Sequence, residues 1–220
     1  MNCDMCGNTG LIHYKKDGYD YSRECECMKA RRSLRSIKSS GMEDMLTRYT
    51  FGEYKTPDAK REELKKSAMD FVANNSGWFY ISGNPGSGKS HLCAAICREL
   101  IIGGKEVSYM TWRDDVTHLK SVVNEPEYED RMRRLKHVDV LYIDDFLKGK
   151  VTPADINIAF ELLNARYNDS KLITVISSER DLNDVMEIDE AVGSRIYERS
   201  RGYCKKAPKD NWRLNSISEN

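Results

Sequence analysis

The chain has 220 residues, 40% of them hydrophobic and 32% charged, with 35 Lys and Arg against 35 Asp and Glu. That length permits one sizeable core with a small appendage, and the charge balance excludes a whole-chain polycation, so any nucleic-acid surface must come from local clustering. No apolar run reaches the roughly 18 residues of a membrane span, and MNCDMCGNTG lacks the basic-then-apolar layout of a secretory leader; a cytoplasmic protein without a membrane partner is expected, its seven cysteines outside any disulfide framework.

In chain order, four cysteines come first, as Cys3-x-x-Cys6 and Cys25-x-Cys27. Two short-spaced thiol pairs joined by a loop match the needs of a closed tetrahedral Zn²⁺ site. Four thiolates leave no open coordination position, so the expectation for residues 1–30 is a structural zinc knuckle; redox-active or free thiols are the alternative. The loop between the pairs is too polar to fold around a core of its own, and metal binding would supply the missing folding energy.

Residues 31–46 form a basic linker that continues the run KARRSLRSIK (Lys29 to Lys38). Such a run is either a solvated helix face or a surface for nucleic acid or an acidic partner. Gly41 to Lys60 mixes polar residues with Tyr49, Phe51 and Tyr54, and predicts a segment docked on the next domain. Arg61 to Asn74 has helical spacing through Leu64, Ala68, Phe71 and Val72.

The apolar run Trp78 to Ile81 is followed by GNPGSGKS, a complete Walker A pattern between a predicted strand and a predicted helix. Gly83, Asn84, Pro85, Gly86, Ser87 and Gly88 supply inward-turned backbone N–H groups, and the helix offers its positive end to the same anion. Lys89 is expected on the β- and γ-phosphates of ATP, Ser90 on Mg²⁺, and His91 at the helix opening beside the nucleotide. Cys93 and Cys97 fall on the apolar face of this helix and read as packing.

Val107 to Thr111 predicts a short strand. Val116, Leu119 and Val122 or Val123 predict a helix that Pro126 breaks. Val138 to Ile143 reads as a buried strand delivering Asp144 and Asp145 at its carboxyl end, where open α/β sheets bind ligands. Asp144 is expected to hold Mg²⁺ and Asp145 to polarise the attacking water. Asp155 to Tyr167 predicts an amphipathic helix striped by Ile156, Ala159, Phe160, Leu163 and Tyr167. Leu172 to Ser177 predicts another buried strand, ending in Ser177-Ser178-Glu179, where a polar residue would sit beside the γ-phosphate. The alternation implies a three-layer α/β sandwich with a central parallel sheet.

The cysteine set, the basic linker, GNPGSGKS, YIDDFLKGK, ITVISSE, GSRIYERS and KDNWR together resemble the DnaC-like replicative-helicase loaders of bacteria and phages. These are a branch of the AAA+ ATPases related to IstB-like transposition ATPases. The resemblance implies an AAA+ P-loop domain over 47–220, ATP, Mg²⁺ and Zn²⁺ as cofactors, and a homo-oligomer whose sites are completed by neighbours. It also implies a replicative helicase hexamer and single-stranded DNA as partners, the latter met by the helix after the second strand through Arg113, His118 and Lys120. Ser178 or Glu179 would be the first sensor and Arg213 the second. Of Arg195 and Arg199, four apart on one helix face, Arg199 looks like the finger inserted into an adjacent subunit's ATP. Asp145 departs from the pattern, being one methylene shorter than the glutamate of most such ATPases. The alternatives are an IstB-like ATPase assisting a transposase, or a nucleotide-switched adaptor with little hydrolysis.

Overall fold

The computed structural model describes residues 3–28, Arg31 and residues 42–212. The basic run is therefore outside the described residues except for Arg31, whose guanidinium donates to the Asn8 carbonyl and side-chain oxygens, both at 2.9 Å.

The segment between the cysteine pairs, expected as a loop, is an antiparallel hairpin of β1 (Leu11–Lys16) and β2 (Tyr19–Glu24). Its turn is Asp17-Gly18, with φ of 52° and 82°. Two successive left-handed residues make the turn whose twist matches that of paired strands, and Asp-Gly is a preferred sequence for it. Main-chain bonds then fold the knuckles against the hairpin: Thr9 N–H donates to Cys6 O at 3.1 Å and Cys25 N–H to Gly10 O at 2.8 Å.

In the body, α1 (Glu43–Arg48) and α2 (Ala59–Asn74) lead into β3 (Trp78–Ser82), the phosphate loop and α3 (Lys89–Ile102). Asp58 caps α2 by accepting from Arg61 N–H at 2.9 Å. Next come β4 (Val107–Thr111), α4 (Trp112–Ser121), α5 (Pro126–His137), β5 (Val140–Asp144), α6 (Pro153–Tyr167), β6 (Ile173–Ser178), α7 (Leu182–Ile188), α8 (Glu190–Arg199) and β7 (Cys204–Lys206). The strands form one parallel sheet in the order β4-β5-β6-β3-β7. With β3, β5 and β6 internal and parallel, their carboxyl ends open on a single edge of the sheet.

Alternating residues of each strand feed two cores. Trp78, Tyr80, Leu141, Ile143 and Ile176 face α4 to α8; Phe79, Ile81, Tyr142 and Val175 face α1 to α3. Both faces being covered is why these strands read as unbroken apolar runs. Met42 and Leu46, placed in the linker on sequence, are buried in the second core, so the body begins before residue 47.

Two sequence expectations shift in detail. The helix expected to break at Pro126 already ends at Ser121, and Pro126 opens the first turn of the next, where its missing N–H costs nothing; Val122 is buried and Val123 exposed. On α6 the buried arc is Ile158, Ala159, Leu162 and Leu163, while Phe160 is 38% exposed. Phe160 and Tyr167 instead form a ledge toward α8, covered by the Arg195 guanidinium at 4.9 and 5.5 Å. Arg166, fully buried, donates to the carbonyls of Leu135 and Val138 at 2.9 Å and of Ile173 at 2.6 Å, and to Thr174 Oγ1 at 3.0 Å. It ties α6, the end of α5 and β6 together without a carboxylate partner in that set.

Candidate functional site

The loop from Gly83 to Gly88 links β3 to α3. Gly86 and Gly88 have φ of 76° and 92°, and neither has space for a Cβ: one would overlap the Asn211 amide, the other would press on the Tyr54 ring at 3.3 Å. Lys89 opens α3 with its ammonium folded back on the loop, donating to Gly83 O at 2.7 Å and Asn84 O at 2.9 Å. Burial pushes the Lys89 ammonium below the usual lysine range, which makes an arriving anion a favourable partner.

Asp144, at the end of β5, sits in a cradle of hydroxyls. Ser90 Oγ donates to Oδ1 at 3.1 Å, Tyr142 to Oδ1 at 2.8 Å, Tyr109 to Oδ2 at 3.2 Å, and Ser177 also bonds Oδ1. Burial raises the Tyr142 phenol well above its ordinary range, so it remains a donor. Ser90 and Asp144, the expected Mg²⁺ residues, are thus side by side. An oxygen-only donor set of hydroxyl and carboxylate suits that hard cation, which keeps several waters of its own.

Asp145 has a left-handed φ of 54° and bonds Lys148 Nζ at 2.9 Å. Lys148 also reaches Glu179 Oε1 at 2.9 Å, and the two carboxylates, Glu179 first, push its ammonium above the usual range. Lys89, Ser90, Asp144, Asp145, Lys148 and Glu179 all line one cavity of about 300 Å³. Ser178, expected at the γ-phosphate, is turned elsewhere. Its buried hydroxyl donates to Phe146 O at 2.8 Å and accepts from Arg180 N–H at 3.0 Å, fastening the β5 loop, and Glu179 is the pocket-facing residue at the end of β6.

An aromatic wall adjoins this cavity. Tyr49 stacks on His91 at 4.8 Å, Tyr54 meets it edge-on at 5.2 Å, and His91 Nε2–H donates to Thr50 O at 2.9 Å. Burial holds the His91 imidazole below its ordinary range, hence neutral. Behind it Arg61 pairs with Asp58 and with Asp210 at 2.6 Å, and lies 5.0 Å from the Trp212 ring centroid. The Trp212 backbone N–H in turn donates to Gly86 O at 3.0 Å. Tyr54, Arg61, Ser87, His91 and Trp212 line a second cavity of about 230 Å³, and the buried hydroxyls of Tyr54 and Ser87 have no hydrogen-bond partner among the described residues.

Other expected residues lie apart. Arg213 is outside the described residues. Arg195 is fastened within its own chain, donating to Asn164 Oδ1 at 3.0 Å and Ala191 O at 2.7 Å. Arg199, half-buried at the end of α8, makes only a long 3.4 Å bond to Asp169 O among its hydrogen bonds to described residues. Neither arginine lines the cavity around Lys89. His118 and Lys120 on α4 are paired, with Glu127 and Asp155, both at 2.7 Å, whereas Arg113 is exposed.

The four amino-terminal thiols converge. Their sulfurs all lie within 4.8 Å of one another, with Cys3–Cys25 at 3.7 Å and Cys6–Cys27 at 3.5 Å. A zinc tetrathiolate with bonds of ~2.3 Å has sulfur–sulfur edges of ~3.8 Å, so the donor set and spacing fit that ion.

Tyr109, Tyr142, Lys148 and the Tyr54–Arg61–Trp212 group escaped the sequence reading, and Ser177, expected only as part of the polar strand end, bonds Asp144. Tyr142 carried a usable signal, since a strand residue two before Asp144 must share its face.

Residues 21–215 match the family described as IstB-like ATP binding protein. The uncharacterized protein YqaM of Bacillus subtilis (strain 168) is 30% identical over 211 residues, covering 89% of this chain and 66% of that protein. The phage-like element PBSX protein XkdC of the same organism is 29% identical, covering 92% and 80%. The replicative helicase loader DnaC of Escherichia coli (strain K12) is 25% identical, covering 79% and 71%. Among solved structures, DnaI superposes with a TM-score of 0.60 at 23% identity over 77% of this chain and 92% of that one. The DnaC helicase loader gives 0.62 at 17% over 74% and 97%. Those two likenesses show a common fold, and the family match spans the phosphate loop and both aspartates: the chain belongs to the IstB/DnaC-like family of ATP-binding proteins.

Proposed function

We propose that this protein is an ATP-dependent loader that binds a hexameric replicative helicase and helps place it on DNA. The observation that carries the nucleotide half of the reading is the meeting of Lys89, Ser90, Asp144 and Asp145 around one cavity, next to an aromatic wall. The likeness to DnaC, a replicative helicase loader, supports the rest.

In this reading Lys89 exchanges the Gly83 and Asn84 carbonyls for phosphate oxygens, and the loop amides complete the grip. Ser90 and Asp144 would hold Mg²⁺, which neutralises charge on the β- and γ-phosphates when bound. Asp145 polarises water for attack. Asp145 leaves Lys148 to do so, a constraint that, with its short side chain, favours slow turnover. Arg199, less engaged in its own chain than Arg195, serves a neighbouring subunit's site. The four cysteines hold zinc.

Three measurements test this. Calorimetry should detect ATP–Mg²⁺ uptake that Lys89→Ala abolishes. Turnover should rise more than linearly with protein concentration and be lost in Arg199→Ala. A pull-down from the native cytoplasm should recover a hexameric helicase. Recovery of a transposase with a preference for duplex DNA would replace loading by the IstB-like role, and absence of ATP uptake would end the reading altogether.

A further inference from the structure

The two faces of the amino-terminal hairpin carry different chemistry. Its register sets Ile12 opposite Arg23, Tyr14 opposite Tyr21 and Lys16 opposite Tyr19. Side chains alternate along a strand and cross-strand partners share a side, so these six residues occupy one face. On the other face polar groups satisfy one another: Ser22 Oγ lies 2.8 Å from His13 Nδ1, and Lys15 pairs with Asp20 at 3.8 Å.

The first face has three tyrosines, two cations and no carboxylate. Tyr14 and Tyr21 stack at 5.7 Å and 20°, both more than two-fifths exposed, and Tyr19 beyond them is 70% exposed. Among the described residues no ion pair engages Lys16 or Arg23. The cations stand at opposite ends of the tyrosine row, about 14 Å apart along β2 at ~3.4 Å per residue. Nothing in this module's own packing requires the rings to be outside, since the polar face already supplies solubility.

A ligand suited to such a face is flat, π-faced and flanked by negative charge. An acidic protein would use the cations but would leave three aromatic rings without an apolar counterpart. Duplex DNA hides its base faces. We propose that this face binds single-stranded DNA, unpaired bases stacking on Tyr14, Tyr19 and Tyr21 while backbone phosphates meet Lys16 and Arg23. Ring stacking is sequence-tolerant because every base has a π-face. The site is independent of the nucleotide pocket.

The test uses the full chain without nucleotide and a labelled oligodeoxythymidylate, read by fluorescence anisotropy. Tyr19→Ser with Tyr21→Ser should lower affinity at least about tenfold, base–aromatic stacking contributing ~1–3 kcal/mol per base. An abasic oligomer of equal length should bind weakly and ignore that change. Tyr19→Phe, which keeps the ring, should bind as the parent does. Lys16→Gln with Arg23→Gln should flatten the slope of log K against log salt by ~1.4. Photocrosslinks from a bromodeoxyuridine oligomer should map to residues 11–24, which separates this face from any DNA contact of the body. Crosslinks confined to the body, unchanged binding in the double tyrosine variant, or tighter binding of the matching RNA would overturn the proposal. So would loss in that variant of a captured acidic protein with DNA binding intact. All four positions are exposed, and an unchanged thermal melt distinguishes loss of binding from loss of fold.

Discussion

Every residue of β3, β5 and β6 is buried, whereas in the amino-terminal hairpin Ile12 alone is even half-buried and the other strand residues are exposed. The body gains its stability by removing apolar area from water on both sides of a sheet, many small contributions spread over two cores. The hairpin removes almost none; within 3–28 the buried side chains are Cys6 and Cys25. A two-stranded ribbon is marginal in water by itself, so the module depends on a few strong points, of which the cysteine cluster is the chief. One region should therefore lose structure gradually under mutation and the other all at once.

Metal removal should separate them most sharply. Structural zinc contributes on the order of 10 kcal/mol to such small modules. Chelation should abolish amide protection across residues 3–28 and leave the body's unfolding midpoint where it was. Protection that survives metal loss would mean the module packs well enough unaided.

The converse change is Arg166→Met. It leaves the Leu135, Val138 and Ile173 carbonyls without their donor in a fully buried place. Each such loss costs ~1–3 kcal/mol, so urea unfolding should show the body destabilised by about 3 kcal/mol or more, with metal content per chain unchanged. A loss under about 1 kcal/mol would show that water or repacking replaces the guanidinium.

Within the body, the pocket is the region most like the module, held by point contacts between charges. Lys148→Met should leave Asp145 and Glu179 uncompensated where a triphosphate must enter, weakening ATP about tenfold (~1.4 kcal/mol) and ADP less. Calorimetry with both nucleotides reads the ratio; equal weakening would place Lys148 away from the terminal phosphate.

The smallest effect concerns the joint between the aromatic segment and α3. His91 is held neutral by burial, its folded pKa lying below the ordinary imidazole value. A depressed pKa contributes stability that is present above the unfolded value and lost as pH falls through the folded one. Acidification below about pH 6.5 should thus loosen the Tyr49–His91 stack slightly, and His91→Gln should remove that dependence. A pH profile identical in the variant would assign the titration elsewhere.

Much of the body was legible because its signals are local. A Walker A pattern needs its glycines where backbone must approach a phosphate, and a strand covered on both faces must be apolar at every position, so the β3 loop and the Asp144-Asp145 terminus could be read from order alone. The Asp17-Gly18 turn was equally local, and the hairpin was obscured only by the polarity of its strands, which betrays how little they bury. Ser178 illustrates the opposite limit. At a strand end, adjacent residues point to opposite sides, and only packing against the β5 loop selects Glu179 for the pocket and Ser178 for the Phe146 carbonyl.

What the chain determined by itself was therefore the kind of chemistry: a phosphate-loop pattern, a pair of carboxylates at a buried strand's end, a cluster of thiols. The tertiary structure alone decided the company those groups keep. The four hydroxyls on Asp144 come from β4, β5, β6 and α3, Lys148 spans the ends of two strands, and Arg61 meets Asp210 across 149 positions of sequence. Such contacts depend on strand order and crossover, and no sequence period records which strand lies beside which.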